Sequence, residues 1–449
     1  MVNADGDAAF HWRVGSWMLR HRQIIREDVF SHTRYGAPII SKEWLAEVIF
    51  AGAGEWLSMY GLCVVAALVI ATTFALLHRQ LLRTGNDPLM ATALVLLAAW
   101  VSHSHWLARP HLFTLLLAVI WHGELLRFER EGRAGRLAIA LAVLMLFWVN
   151  LHGGFLVGFL ILGAYWAGAI VTDRPKALRL AGILGLCVAV SLINPNGWQL
   201  HAHSIAFLQS GFLTGWLKEY SSPDFHAAGP RVLIVWLALI FVTLVWHRPR
   251  WSAGAALLVG LWIYFALYAV RNIPLLAVVS TPVLAPAWSA WWRETRPGLA
   301  DRFARAFTGA CGWPVTAAVA VVAILSLARP VPMLRALWPV DAVIYIRQHP
   351  DQFQGEMLND YRWGGYLMAA LPEHRVFVDG RTDFYGESLM REFLVTTRVA
   401  EGWTDVLDKY HVGWTLLPTQ DALNRALAVT PSWHCVYTDE VAAIYVRQH

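Results

Sequence analysis

Ten apolar stretches, near 56–77, 89–107, 109–127, 137–151, 153–172, 178–194, 231–247, 253–270, 273–292 and 312–329, dominate this chain. Each approaches the roughly 20 residues that a helix needs to cross a hydrocarbon core. A lipid interior offers no water to backbone amides, so runs of this kind must satisfy their hydrogen bonds internally, as helices. Composition agrees: 57% of residues are hydrophobic and only 15% charged, with a mean hydropathy of +0.45. The expected fold class is therefore a polytopic α-helical membrane bundle. The 24 tryptophans suit it, since an indole has one polar edge and prefers the headgroup level; Trp106, Trp148, Trp216 and Trp338 fall near run ends.

The loops between the runs divide by charge. One set holds Arg79 and Arg83, the arginines of 127–136, Arg174, Lys176 and Arg179, Arg248 and Arg250, and the arginines of 293–305. The opposite set carries Arg109, Lys218 and Arg271. By the positive-inside rule the first set is cytoplasmic and the second external. The formal net charge of +5 thus resides in particular loops and does not point to nucleic acid. This orientation puts residues 1–43 outside, although they carry Arg13, Arg20, Arg22, Arg26, Arg34 and Lys42. Such a segment resists translocation, so a further span is expected ahead of it, giving eleven in the intact protein and making 1–43 the first external loop.

Residues 44–329 then form the membrane domain, and 330–449 an external soluble domain. Helical patterns at 340–349, 386–398 and 402–411 alternate there with the β-type runs "RVFVD", "WTLLP" and "AAIYV", which predicts a small α/β domain; "TDE" reads as a hairpin turn. Cys63, Cys187 and Cys311 lie in apolar runs and Cys435 in the tail, a pattern without a disulfide framework.

Polar side chains suited to chemistry crowd onto the external side at span ends: Asp5, Asp7 and His11; His103, His105, Arg109 and His111; Asn150 and His152; Asn194, Asn196, His201 and His203; Glu219 and Asp224; Arg271 and Asn272. Collection on one leaflet is the pattern of a site at the membrane surface. If 5–15 is helical, Asp7 and His11 lie one turn apart on one face, placed to bind a metal or move a proton. The plainer reading makes Asp5 or Asp7 a helix cap. His103 and His105 point together only in an extended segment, and interfacial histidines are commonly solvated or satisfied within the core. Arg271, at the start of an apolar run, needs an anion such as a lipid phosphate or must snorkel to the headgroups. The "HGG" at 152–154 permits a tight turn or a ligand's approach to backbone amides.

Four stretches together resemble the GT-C membrane glycosyltransferases, and within them the catalytic subunit of oligosaccharyltransferase. They are "DGDAAFHWRVGSWML" with "EDVFSHTRYGAPIISKEWL", "LKEYSSPDF", "AVRNIPLLAVVSTPVLA" and "NDYRWGGYLMAALPEHRVFVDGRTDFY". They look like a first external loop with its aspartate, a late external loop with a key glutamate, a span opening on a phosphate-binding arginine, and the WWDYG region of the external domain. Here "DYRWGGY" stands in place of WWDYG, so the likeness does not carry recognition of an asparagine sequon. A second acidic pair is absent, with "HSH" near its place.

The resemblance implies a sugar donor on a polyprenyl phosphate or diphosphate, transferred with inversion to an unidentified glycan, lipid or protein acceptor at the periplasmic face of the cell inner membrane. It implies Asp7 and Glu219 as catalytic residues, and Arg271, Asn272, His11, Arg109, His152, Trp363 and Tyr366 as substrate-binding ones. A divalent metal, Mn²⁺ or Mg²⁺, is expected on Asp7, His103, His105 and Glu219. Two other classes stay open: a transporter or flippase of a lipid-linked or anionic substrate, which would show inverted repeats and mid-membrane charges, and a non-catalytic glycan-binding relative.

Overall fold

The structure, a computed structural model, describes residues 6–308 and 335–448. The apolar run near 312–329, with Asp5 and Cys311, lies outside the described residues. Residues 6–308 form fourteen α-helices: α1 Asp7–His21, α2 Trp44–Leu57, α3 Met59–Arg83, α4 Pro88–Ser102, α5 His111–Glu131, α6 Ala134–Leu151, α7 Leu156–Thr172, α8 Arg174–Ser191, α9 Trp198–Gln209, α10 Gly211–Trp216, α11 Ala228–Val242, α12 Ala253–Tyr268, α13 Ile273–Thr295 and α14 Pro297–Thr308. Among the described residues, six helical segments are long and apolar enough to cross a membrane: Met59–Arg83, His111–Glu131, Ala134–Leu151, Gly153–Thr172, Gly229–His247 and Val270–Thr295. The described residues thus do not confirm the expected count of ten. The runs near 89–107, 178–194 and 253–270 are helical, but α4 and α12 have 15 and 16 residues and α8 opens on Arg174, Lys176 and Arg179.

The chain divides into two compact units. The first joins Met1–Leu62, Ala202–Leu213 and Pro330–His449; the second joins Cys63–His201 and Thr214–Arg329.

In the first unit, α1 packs its apolar face (Phe10, Val14, Met18) into a core with Trp338, Trp363, Leu367, Trp414 and Ile444. Four strands, β1 Glu356–Asn359, β2 Val412–Pro418, β3 Trp433–Thr438 and β4 Ala442–Arg447, form one sheet in the order β1-β2-β4-β3. β1 runs parallel to β2, and the other pairs are antiparallel. The expected helices appear at Val340–Gln348, Thr382–Thr397 and Trp403–Lys409, and "WTLLP" and "AAIYV" are strands. At the "TDE" turn, Asp439 accepts from the amides of Val441 and Ala442, both 2.7 Å. "RVFVD" is a correction: in place of a strand it makes a single bridge, Val376 with Ser31. The Asn359 side chain takes the place of a ladder there, accepting from Phe377 N at 2.7 Å and donating to Val378 O at 2.8 Å. A side-chain amide can satisfy neighbouring backbone groups as a strand would.

In the second unit, helices approach closely where glycine allows it. At the crossing of α7 and α12, a Cβ on Gly168 would run into the backbone of Gly254. Some buried indoles find hydroxyl partners, because an N–H left unpaired in an apolar medium is costly. Trp148 donates to Thr114 Oγ1 at 2.9 Å and Trp236 to Ser280 Oγ at 2.9 Å. The arginine-rich ends carry ion pairs, Arg127 with Glu131 at 2.7 Å and Arg136 with Glu124 at 3.2 Å.

Candidate functional site

Polar groups of the second unit converge where three short 3₁₀ turns meet helix ends: His103–His105 after α4, Lys218–Tyr220 after α10, and Val270–Asn272 before α13. The amide of Val270 donates to Ser221 O at 3.0 Å and ties the last two together. Glu219 then sits between two guanidinium groups. Its Oε1 accepts from Arg271 Nη1 at 3.2 Å, and its Oε2 lies 3.7 Å from Arg109 Nη1. Arg271 also lies over the Tyr220 ring, 4.3 Å from its centroid, a cation–π contact. Burial pushes the Glu219 carboxyl up, but Arg271 and Arg109 outweigh it and hold the group below the usual carboxylate range. His105 is lowered to about 4, first by burial and further by the two arginines against the pull of Glu219, so its ring is neutral at pH 7. His111 donates to His105 O at 2.7 Å.

The structure thus brings together Arg109, Glu219, Arg271 and His105 from the sequence candidates. His103 is exposed and donates to Trp100 O at 2.6 Å. Asn272 donates to Phe265 O at 3.0 Å. His152 caps the junction of α6 and α7: its Nδ1 takes bonds from Gly154 N at 3.0 Å and Thr114 Oγ1 at 2.8 Å.

The first unit holds a second polar cluster. Asp7 opens α1 but is not its N-cap, which is Gly6. Its carboxylate lies against Gly380, where a Cβ would collide with it. One turn on, His11 Nδ1 is 3.3 Å from Glu47 Oε1 and 3.9 Å from Glu43 Oε2. One ligand atom from each of these three residues lies within 4.8 Å of the others. Burial raises both carboxyls; for Glu47, against the opposing pull of Arg381 and Lys42, it does so to about 8. Neither glutamate stood out in the sequence, although the i,i+4 spacing in "EWLAE" was the available signal.

Beside them Lys42 is bonded to Asp383, which also pairs with His203 Nε2 at 2.8 Å. Burial opposes the Asp383 charge, yet Lys42 and His203 hold its carboxyl well below the ordinary range. Arg381 is clamped by Asp28 at 2.7 Å and Asp379 at 2.6 Å, with the Tyr385 hydroxyl donating to Asp379 at 2.7 Å. Trp363 is buried and donates to Leu337 O at 3.1 Å, and Tyr366 packs on Trp338 with ring centroids 5.6 Å apart.

No family model matches the chain, and no curated protein does. Solved structures do: the fold is similar to that of two GT-C glycosyltransferases. One is the archaeal oligosaccharyltransferase AglB from Archaeoglobus fulgidus, in complex with an inhibitory peptide and a dolichol-phosphate. The similarity covers 93% of this chain at TM-score 0.57 and 14% identity. The chain spans 66% of AglB's length. Another is ArnT from Cupriavidus metallidurans, matched over 99% of this chain and 93% of that one in the apo state, at TM-score 0.55 and 15% identity. The same protein bound to undecaprenyl phosphate matches over 98% and 93%, at TM-score 0.55 and 16% identity. The resemblance read from four degenerate stretches is therefore shown as a fold.

Proposed function

We propose that the chain is an integral-membrane glycosyltransferase that moves a sugar from a polyprenyl-phosphate-linked or diphosphate-linked donor to an acceptor. The transfer inverts the anomeric carbon and takes place at the periplasmic face of the inner membrane, where residues 330–449 also lie. The observation that carries the reading is the convergence of Arg109 and Arg271 on Glu219 at span ends. Two guanidinium groups at that level suit a lipid phosphate, which gains negative charge as the glycosidic bond breaks; Arg forks bind such oxygens in pairs. Solved ArnT, of the same fold, holds undecaprenyl phosphate, and AglB a dolichol-phosphate, which supports a polyprenyl phosphate ligand.

In this reading Glu219 holds the two guanidinium groups together, and Asp7 orients or deprotonates the acceptor nucleophile. Asn272 and His152 in the second unit, and Trp363 and Tyr366 in the first, are held by their own neighbours and serve as substrate contacts. The reading accommodates a divalent cation, Mn²⁺ or Mg²⁺; its expected ligands are divided between the units, Asp7 in the first and His103, His105 and Glu219 in the second, so no joint site is assigned to them. Because Glu219 already serves two arginines, the phosphate charge is assigned to the guanidinium groups and no step is routed through a metal.

Purified protein supplied with radiolabelled polyprenyl-phosphate sugar tests the reading. Asp7→Asn should cut turnover about 10²- to 10³-fold with donor affinity intact, whereas Arg271→Lys should weaken donor binding because an ammonium lacks the planar fork. Unchanged turnover in the first variant would remove Asp7 from the chemistry. Unchanged affinity in the second would leave Arg271 a headgroup anchor, and transport of donor without transfer would replace the enzyme with a flippase.

A further inference from the structure

His11, Glu43 and Glu47 come from α1 and the start of α2 and converge on one point inside the first unit. His11 is 3% exposed and Glu47 6%. Backbone packing independent of these side chains brings them there: Gly15 of α1 rests on the carbonyl of Glu47, where any Cβ would collide, and Ala8, Ala46, Phe50 and Ala51 are buried. Glu43, the N-cap of α2, and Glu47, one turn on, both face the His11 ring of α1.

One imidazole and two carboxyl groups face one another out of water, a donor set that a divalent cation can hold. His11 and Glu47 form a long hydrogen bond of 3.3 Å, and the His11–Glu43 distance of 3.9 Å is beyond hydrogen-bond reach. Ligands about 2.1 Å from a tetrahedral cation stand roughly 3.4 Å from one another, close to the His11–Glu47 distance.

We propose that His11, Glu43 and Glu47 form a divalent-cation site that clamps α1 onto α2. One imidazole nitrogen with two carboxylate oxygens favours Zn²⁺ or Mn²⁺ over Ca²⁺ or Mg²⁺, whose preferred ligands are all oxygen. Its role in the molecule is positional. Asp7 lies one turn before His11 on the same helix, so the clamp fixes the Asp7 carboxylate; that consequence rests on the transferase reading, whereas the site itself does not. Of the three residues, the sequence singled out only His11, paired with Asp7; Glu43 and Glu47 come from the packing of α1 on α2.

Full-length protein in detergent, stripped with a chelator and dialysed, should take up one equivalent of Zn²⁺ or Mn²⁺ per chain by elemental analysis, with a higher melting temperature. Co²⁺, used as an optical probe for the same site, should give visible absorption bands of a low-coordinate centre. Glu47→Gln and His11→Gln should each weaken Zn²⁺ or Mn²⁺ binding at least about 10-fold and abolish the Co²⁺ bands. Asp7→Asn and Glu219→Gln should leave uptake unchanged, and circular dichroism of every variant checks folding. Should Glu47→Gln not fold, Glu43→Gln serves as the second carboxylate test. Absence of uptake at micromolar metal, or equal affinity in His11→Gln and the parent, would overturn the site. Loss of metal in Asp7→Asn or Glu219→Gln with His11→Gln unaffected would overturn it in favour of the sequence-derived set. Because uptake is read without turnover, a protein that binds metal here but transfers no sugar would remove the transferase reading alone.

Discussion

The two units bury polar groups by opposite means. In the first, whole ions are buried and matched to one another: Arg381 is 7% exposed between Asp28 and Asp379, and Asp383 lies between Lys42 and His203. In the second, much of the interior polarity is neutral, indole N–H groups donating to Thr and Ser hydroxyls, while the Arg109–Glu219–Arg271 set stays at span ends, part exposed. The difference follows from what surrounds each unit. A helix surrounded by lipid has no water to share the cost of an ion, so charge is held at its ends. A unit packed around a sheet and several loops can supply three or four partners to one ion, as around Arg381.

The largest effect that would test this contrast is expected at Arg381. Arg381→Met leaves Asp28 and Asp379 buried without their cation, a loss of about 3–5 kcal/mol, measured as a fall in melting temperature with proteolysis in residues 335–448. Tolerance of that change would mean the first unit does not depend on matched ions.

Next comes Gly168→Ala in the second unit. Its Cβ would meet the Gly254 backbone and force α7 from α12, costing about 1–3 kcal/mol. Gly182→Ala, with nothing within 4 Å of the added carbon, is the control; it should stabilise by about 0.5–1 kcal/mol through helix propensity. Equal behaviour of the two variants in a thermal melt would deny that backbone approach sets the bundle.

A smaller loss, about 1 kcal/mol, is expected for Ser280→Ala, which removes little volume and one neutral hydrogen bond from the Trp236 indole. A loss as large as that at Arg381 would erase the contrast between the units.

The smallest signal is in the pH dependence of Asp383. Its folded pKa lies below the ordinary 3.8, so its charge contributes stability that is fully present above that pH and is lost as pH falls through the folded value. The stability gap between the parent and Asp383→Asn should therefore narrow as pH falls below 3.8 towards the folded value. A gap that widened in acid would assign the wrong partner to Lys42 and His203.

The sequence by itself determined the membrane class and the helices of most apolar runs, because burial in lipid imposes a constraint that each segment satisfies alone. It also determined local signals such as the Asp7–His11 helix face, the "TDE" turn and the strands "WTLLP" and "AAIYV". Pairings between distant segments had no such local signature. Glu43 and Glu47 became partners of His11 only once α1 lay across α2, and Asp28 met Arg381 across 353 positions of chain. "RVFVD" looked like a strand because its alternation is that of one, yet tertiary structure gave its amide and carbonyl groups to Asn359. Sequence periodicity records which face of an element is buried; which ion or amide it meets there is fixed only by the packing of other elements against it.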